Sequence, residues 1–383
     1  MDRARGPTIG LLGSYGGRNV GDEAILTSIL NSIRQGRPDA MTVVFSRSPD
    51  HTRVHHEGVE VVGWEGMSRE PVSQIISRLD ILILGGGGIL YDTEARRYLR
   101  VVRLAQEQNV PVFTYALGAG PLTDRLDCSM TRDTLTAAAK ITVRDEESRL
   151  VLEEVGVMNA ITVTADPALL LEEEEFGQDL LRAEGVPESV RLVGMSVREP
   201  GRAAEHLDVQ GYHELLAHVG DFLVRRLDAY IVFVPMERDD IRHSHAVLSH
   251  MNSADRCRVL HGHYRPRQLL GLVRHLDLVV GMRLHFLIFA ALQGVPLLPL
   301  PYAGKVFDFA QQLGAPALSG VVREAAGPLL AEVDRVWDER PAHRERINAR
   351  TPAMRVRAAA TAEHLLAQLD RIAPYTPVWG RTA

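Results

Sequence analysis

The chain has 383 residues, 45% of them apolar and 24% charged, with only two cysteines. That length predicts two domains, since single cores stop growing near about 250–300 residues, and the composition excludes a disordered chain. The net charge of -6 argues against a nucleic-acid partner, which wants a basic face. Two cysteines are too few for a disulfide framework and point to a reducing compartment.

Short apolar runs alternate with helical patterns, the signature of βαβ units and a parallel sheet. Strands are predicted at Thr8–Leu12, Met41–Phe45, Ile81–Leu84, Val112–Ala116, Lys140–Val143 and Ile161–Thr164, with helices between them such as Gly21–Arg34 and Tyr98–Gln108. The residues before Thr8 lack the apolar core of a signal peptide. No run of about 20 apolar residues occurs, so no membrane span is expected, and the expected location is the cytoplasm.

Between the first strand and first helix lies Gly13-Ser14-Tyr15-Gly16-Gly17-Arg18-Asn19-Val20-Gly21-Asp22-Glu23. Glycines there let backbone approach a ligand and present N–H groups at a helix N-terminus. The plain alternative is a tight βα turn, with Asp22 and Glu23 complementing the helix dipole. The dinucleotide fingerprint is absent, and the second strand ends Phe45-Ser46-Arg47 without a carboxylate, so no nicotinamide cofactor is expected. Gly85-Gly86-Gly87-Gly88 follows the Ile81–Leu84 strand and reads as the floor of a cleft, because ligands bind outside the carboxyl ends of parallel strands. Gly118-Ala119-Gly120-Pro121 also follows a strand. Arg144 stands at another strand end, where its plain reading is a salt-bridged helix start capped by Asp145.

The acidic run Glu172-Glu173-Glu174-Glu175 reads as a linker or solvated face. Beyond it strands are predicted at Leu192–Ser196, Ala229–Pro235, Arg258–Leu260, Leu278–Val280 and Pro296–Leu300. Leu276-Asp277-Leu278-Val279-Val280-Gly281 echoes Leu79-Asp80-Ile81-Leu82-Ile83-Leu84-Gly85, which suggests two similar Rossmann-like halves. His243-Ser244-His245 and His261-Gly262-His263 could ligate a metal, but no carboxylate or cysteine cluster completes either, so no metal is expected. Arg283 and His285 fall at the start of the helix after Gly281. Cations are unfavourable there on dipole grounds, which points to an anion between them and the N–H groups. A histidine also titrates near neutral pH and suits a general acid. Of the 43 lysines and arginines only Lys140 and Lys305 are lysine, which suggests work for a compact ammonium at Tyr302-Ala303-Gly304-Lys305. The arginines at 340, 344, 346, 350, 355 and 357 read as a solvated helix surface, with a basic face for anionic lipid headgroups as the sharper alternative.

In order, Tyr15-Gly16-Gly17-Arg18-Asn19-Val20-Gly21-Asp22-Glu23, the 85–88 glycines, Gly118-Ala119-Gly120-Pro121, Arg144-Asp145, Asp166-Pro167-Ala168, Ser196-Val197-Arg198, Arg283-Leu284-His285 and Tyr302-Ala303-Gly304-Lys305 resemble the polysaccharide pyruvyl transferase family. Its bacterial members acting on secondary cell-wall polymer precursors are the most similar in length. The resemblance implies an α/β, GT-B-like fold of two Rossmann-like domains facing across a cleft. Residues 1–172 would form the acceptor side and 173–340 the phosphoenolpyruvate side. Residues 341–383 would be helical and pack back towards the first domain. The implied reaction transfers the pyruvyl group of phosphoenolpyruvate to two hydroxyls of one sugar, giving a cyclic ketal and phosphate, with no cofactor. His285, Lys305 and Arg144 are the implied catalytic set. Arg283, Arg198, Asn19, Asp22, Glu23, Gly86 and Gly87 are the substrate-binding candidates. A lipid-linked acceptor containing N-acetylmannosamine is implied only by the resemblance, and peripheral attachment to the inner membrane face stays an open alternative. The rival readings are a GT-B glycosyltransferase using a nucleotide sugar and a non-catalytic phosphosugar-binding protein.

Overall fold

The structure is a computed structural model that describes residues 6–176, 178–199, 208–300, 304–316 and 326–375. The chain divides into two compact units. The first comprises residues 1–17, 25–170 and 356–383, and the second residues 18–24 and 171–355.

The first unit is built on a seven-stranded sheet in the order β3-β2-β1-β4-β5-β6-β7. Its strands are β1 (Thr8–Leu12), β2 (Met41–Ser46), β3 (Glu60–Gly63), β4 (Ile81–Leu90), β5 (Val112–Ala119), β6 (Ile141–Val143) and β7 (Ile161–Val163). The second unit carries a five-stranded sheet in the order β10-β9-β8-β11-β12. Here the strands are β8 (Arg191–Ser196), β9 (Ala229–Phe233), β10 (Cys257–Val259), β11 (Leu278–Gly281) and β12 (Leu297–Pro299). All pairings are parallel. Continuous apolar strands such as Thr8–Leu12 are buried along their whole length, as strands covered on both faces must be. In each sheet the order reverses beside the first strand, at β1/β4 and at β8/β11. Such switch points are where open α/β sheets bind ligands.

The echo between the halves is structural. β4 and β11 are each the fourth strand of their sheet. The Asp80 carboxylate accepts from the Thr8 N–H at 2.7 Å, and that of Asp277 from the Leu192 N–H at 2.9 Å. Leu79 packs over Gly10 and Leu276 over Gly194, leaving in each case only 2.5 Å to where a Cβ would sit.

Three expectations change. Gly118 and Ala119, expected after a strand, are the last two residues of β5. β3 is an additional strand at the sheet edge, and with only Val61 and Val62 apolar it lacks a strong alternating pattern. The 85–88 glycines do not follow a strand; they continue β4, pairing Gly85 with Tyr115, Gly87 with Leu117 and Gly88 with Gly118. Gly86 and Gly87 have φ of +66° and +81°, which only glycine adopts readily.

One helix runs from Arg340 to Ile372. Four of the arginines singled out above, Arg340, Arg344, Arg346 and Arg350, bond or stack on the chain itself, while Arg355 and Arg357 are exposed. Arg344 Nε donates to the Gly294 carbonyl at 3.2 Å, and Arg346 Nη1 to that of Gly314 at 3.0 Å. Arg350 donates to the carbonyls of Gln311 and Gln312. These carbonyls close the Leu284–Leu292 and Gly304–Leu313 helices, where cations complement the dipole. Arg340 stacks on Trp337. Among the described residues, no helix is long and apolar enough to cross a membrane.

Candidate functional site

In the second unit, the carboxyl ends of β8, β9 and β11 lie side by side. Gly281 pairs with Ser196, and the Met282 N–H donates to the Ser196 carbonyl at 3.1 Å. Arg283 caps the Leu284–Leu292 helix in an extended conformation, and His285 lies in the first turn. The anions beside Arg283 are the protein's own. Its Nε donates to Asp240 Oδ2 at 3.0 Å and its Nη2 to Asp240 Oδ1 at 2.5 Å, and Nη2 also donates to Glu237 Oε1. A planar fork can meet two carboxylates in this way and a point charge cannot. These bonds hold the Arg283 guanidinium in place at the helix N-terminus.

Glu237 and Asp240 open the Arg238–His250 helix after β9. Asp240 is fully buried and also accepts from the N–H groups of Met236 and Glu237 at 3.0 and 3.2 Å. Burial raises its pKa despite the Arg283 charge. For Glu237 burial acts the same way, but Arg283 and the hydrogen bond from Asn19 outweigh it and hold the carboxyl below its ordinary value. The second oxygen of Glu237 accepts from Asn19 Nδ2 at 2.9 Å. Asn19 Oδ1 accepts from the Gly21 N–H at 2.9 Å and more weakly from that of Asp22 at 3.4 Å, capping the Val20–Gly36 helix. The Val20 N–H donates to the Met236 carbonyl at 2.8 Å. His285 then packs against Gly21, whose missing side chain leaves the space its imidazole fills; a Cβ there would overlap the ring.

The other candidates of this unit divide. Asp22 and Glu23 stand in the first turn of the Val20–Gly36 helix, Asp22 half-buried and Glu23 buried. Arg198 follows β8 and donates from Nε to the Glu199 carbonyl at 3.1 Å, while its own carbonyl accepts from Tyr212 Oη at 2.8 Å. Lys305 is half-buried in the first turn of the Gly304–Leu313 helix; Tyr302 and Ala303 of its motif lie outside the described residues.

In the first unit, Arg144 follows β6. Its Nε donates to Asp145 Oδ2 at 3.1 Å and its Nη1 to Asp166 Oδ2 at 3.2 Å, all three side chains being buried. Asp145 caps the following helix through the Ser148 N–H at 2.8 Å. The guanidinium lies flat on Gly118, 2.8 Å from the place of a Cβ, and its Nη2 reaches Gly88. The glycines of two motifs thus make room for one arginine. Gly86 lies under Ile25, and Tyr15 Oη donates to the Gly85 carbonyl at 2.7 Å.

Glu237 and Asp240 are site residues that the sequence reading does not single out. The available signal is two carboxylates just past a strand end. Asp166 stands in a motif there without a role. The histidine pairs divide as well. His213 and His243 meet in the interior at 3.0 Å, while the exposed His245 and His261 bring their Nε2 atoms to 3.1 Å. Among the described residues no three His, Cys, Asp or Glu side chains gather as a metal site.

Several solved structures share the fold. S. aureus MnaA in a co-structure with UDP is 10% identical, with 98% of this chain and 100% of that chain covered at a TM-score of 0.67. A glycosyltransferase from Rickettsia africae is 11% identical, covering 97% and 100% at a TM-score of 0.65. UDP-GlcNAc 2-epimerase from Neisseria meningitidis, bound to UDP-GlcNAc, is 11% identical, covering 94% and 99% at 0.63. These likenesses agree with the α/β, GT-B-like class expected above. No curated protein matches the chain by sequence. The sequence model of polysaccharide pyruvyl transferases matches residues 19–304, from the helix cap at Asn19 through the Arg283-Leu284-His285 segment to Gly304, and the chain belongs to that family.

Proposed function

We propose that the protein moves the pyruvyl group of phosphoenolpyruvate onto two hydroxyls of a sugar in a cell-wall or exopolysaccharide precursor. The observation that carries this reading is the convergence of Asn19, Gly21, Arg283 and His285 at one strand-end switch point in a chain of this family. His285 donates a proton to C3 of the enol, which makes C2 electrophilic. A sugar hydroxyl adds to C2 and gives up its proton. The C2–O bond to phosphate breaks with its electron pair, and the neighbouring hydroxyl closes the ring, releasing the second proton. Lys305 neutralises charge on the departing phosphate. Arg144 is proposed, from the family resemblance, as a phosphoenolpyruvate cation, its guanidinium being held by Asp145 and Asp166. Arg198 is proposed as a further substrate cation.

Ligand-dependent thermal stability tests the donor. A ligand that binds the folded chain alone raises its melting temperature. Phosphoenolpyruvate is expected to do so. Stabilisation by a nucleotide sugar, with none by phosphoenolpyruvate, would move the assignment to a glycosyltransferase.

A further inference from the structure

We infer that Glu237 is a positioning residue that sets the orientation of His285. The inference rests on the transferase reading only for its kinetic consequence. Its basis is a closed circuit of contacts. Arg283 donates to one oxygen of Glu237, and Asn19 donates to the other at 2.9 Å. Asn19 holds the Gly21 N–H at 2.9 Å, and the Gly21 backbone is the surface on which the His285 ring rests. The circuit therefore leaves the 283–285 segment at its first residue and returns at its last. Two short stretches of the second unit that are far apart in sequence, residues 18–24 and 283–285, share one carboxylate as their common fixed point.

The chemistry of that carboxylate suits the task. Both oxygens accept from nitrogen donors, one charged and one neutral, so an ionised group satisfies both at once. Glutamine has only one accepting oxygen, and its amide nitrogen would face one of the two donors. Asp240 cannot substitute, because its oxygens are already committed to Arg283 and to the N–H groups of Met236 and Glu237. Glu237 is the more exposed of the two carboxylates, with 34% of its side chain accessible against 1% for Asp240. Replacing it therefore disturbs the circuit more than the core. A misplacement of the reacting group by about 1 Å can lower turnover about 10²-fold.

The test is Glu237→Gln in the full chain, followed by ¹H–¹⁵N imidazole correlations of histidine-labelled protein and by steady-state kinetics. The His285 resonances, assigned from the His285→Gln spectrum, are expected to move. The kcat is expected to fall about 10²-fold with little change in the KM for phosphoenolpyruvate, the split of a group acting in the chemical step. Unmoved His285 resonances in a folded variant would overturn the inference, whatever the kinetics. A shift of His285 in a protein that shows no pyruvyl transfer would uphold the positioning role and remove only the reaction assigned to it. Should Glu237→Gln not fold, Asn19→Ala opens the same circuit on its other side. It is expected to move the same resonances, and an unchanged His285 there would equally contradict the inference.

Discussion

Each unit holds a strand-end arginine between two carboxylates, but the two clamps are wired differently. Arg144 takes Asp145 from the next position and Asp166 from the end of the neighbouring strand, and rests on Gly118. That clamp is local and sheltered. Arg283 instead reaches back to Glu237 and Asp240 on another strand-helix connection, and Glu237 passes the restraint on to Asn19. The first arrangement fixes one guanidinium. The second ties distant parts of the chain to one another, so damage to it travels. The same strand order and the same Asp80 and Asp277 devices underlie both sheets. What distinguishes the two sites is therefore the loops at the strand ends.

The largest effects come from removing an arginine. Arg144→Ala and Arg283→Ala each strand two carboxylates, and loss of one partner from a buried pair costs about 3–5 kcal/mol. Denaturant unfolding of both variants measures this. Arg283→Ala is expected to disturb the His285 imidazole signals as well. Equal and slight destabilisation in both would mean that the clamps are ornamental.

Smaller effects come from filling the glycine spaces. Gly21→Ala pushes on His285 and Gly118→Ala on Arg144, with overpacking costs of about 1–3 kcal/mol. Only Gly21→Ala is expected to move the His285 signals. Gly88→Ala meets Arg144 Nη2 at an ordinary 3.5 Å and should stay within about 0.5 kcal/mol of the parent. A strong loss at Gly88 would show that the strand needs that glycine for a reason other than the arginine.

The gentlest probe is acid. His213 is buried against His243, and burial lowers its pKa from 6.5 to about 4. The unfolded chain then takes up this proton before the folded one does, so stability should fall as pH drops from 6.5 towards about 4. Glu237, held below its usual value, adds to the loss at lower pH. His213→Gln should flatten the upper part of that decline in a melting-temperature profile. An unchanged slope would exclude the histidine as its source.

The fold class could be read from the rhythm of apolar runs because parallel strands buried on both faces leave a strong imprint. β3 escapes that reading because an edge strand of Glu60-Val61-Val62-Gly63 carries little of it. The glycines at 85–88 read as a stop, since glycine weakens an isolated strand; here pairing with β5 holds them in the sheet. Asn19, Arg283 and His285 stand out in the sequence because polar groups at a strand end beside glycine have few plain explanations. Glu237 and Asp240 do not stand out, because acidic residues in a first helical turn already have one in the dipole. Their partnership with Arg283 depends on β8 lying between β9 and β11, which no local pattern announces.

The central claim is that His285, set by this circuit, drives pyruvyl transfer. Phosphate release from phosphoenolpyruvate, measured with and without an N-acetylmannosamine-containing acceptor and for His285→Ala beside the parent, tests it most directly. Acceptor-dependent release, a product heavier by a pyruvyl ketal and a loss of about 10²–10⁴-fold in the variant are the predicted result. Release that ignores the acceptor, or that survives His285→Ala undiminished, would contradict it.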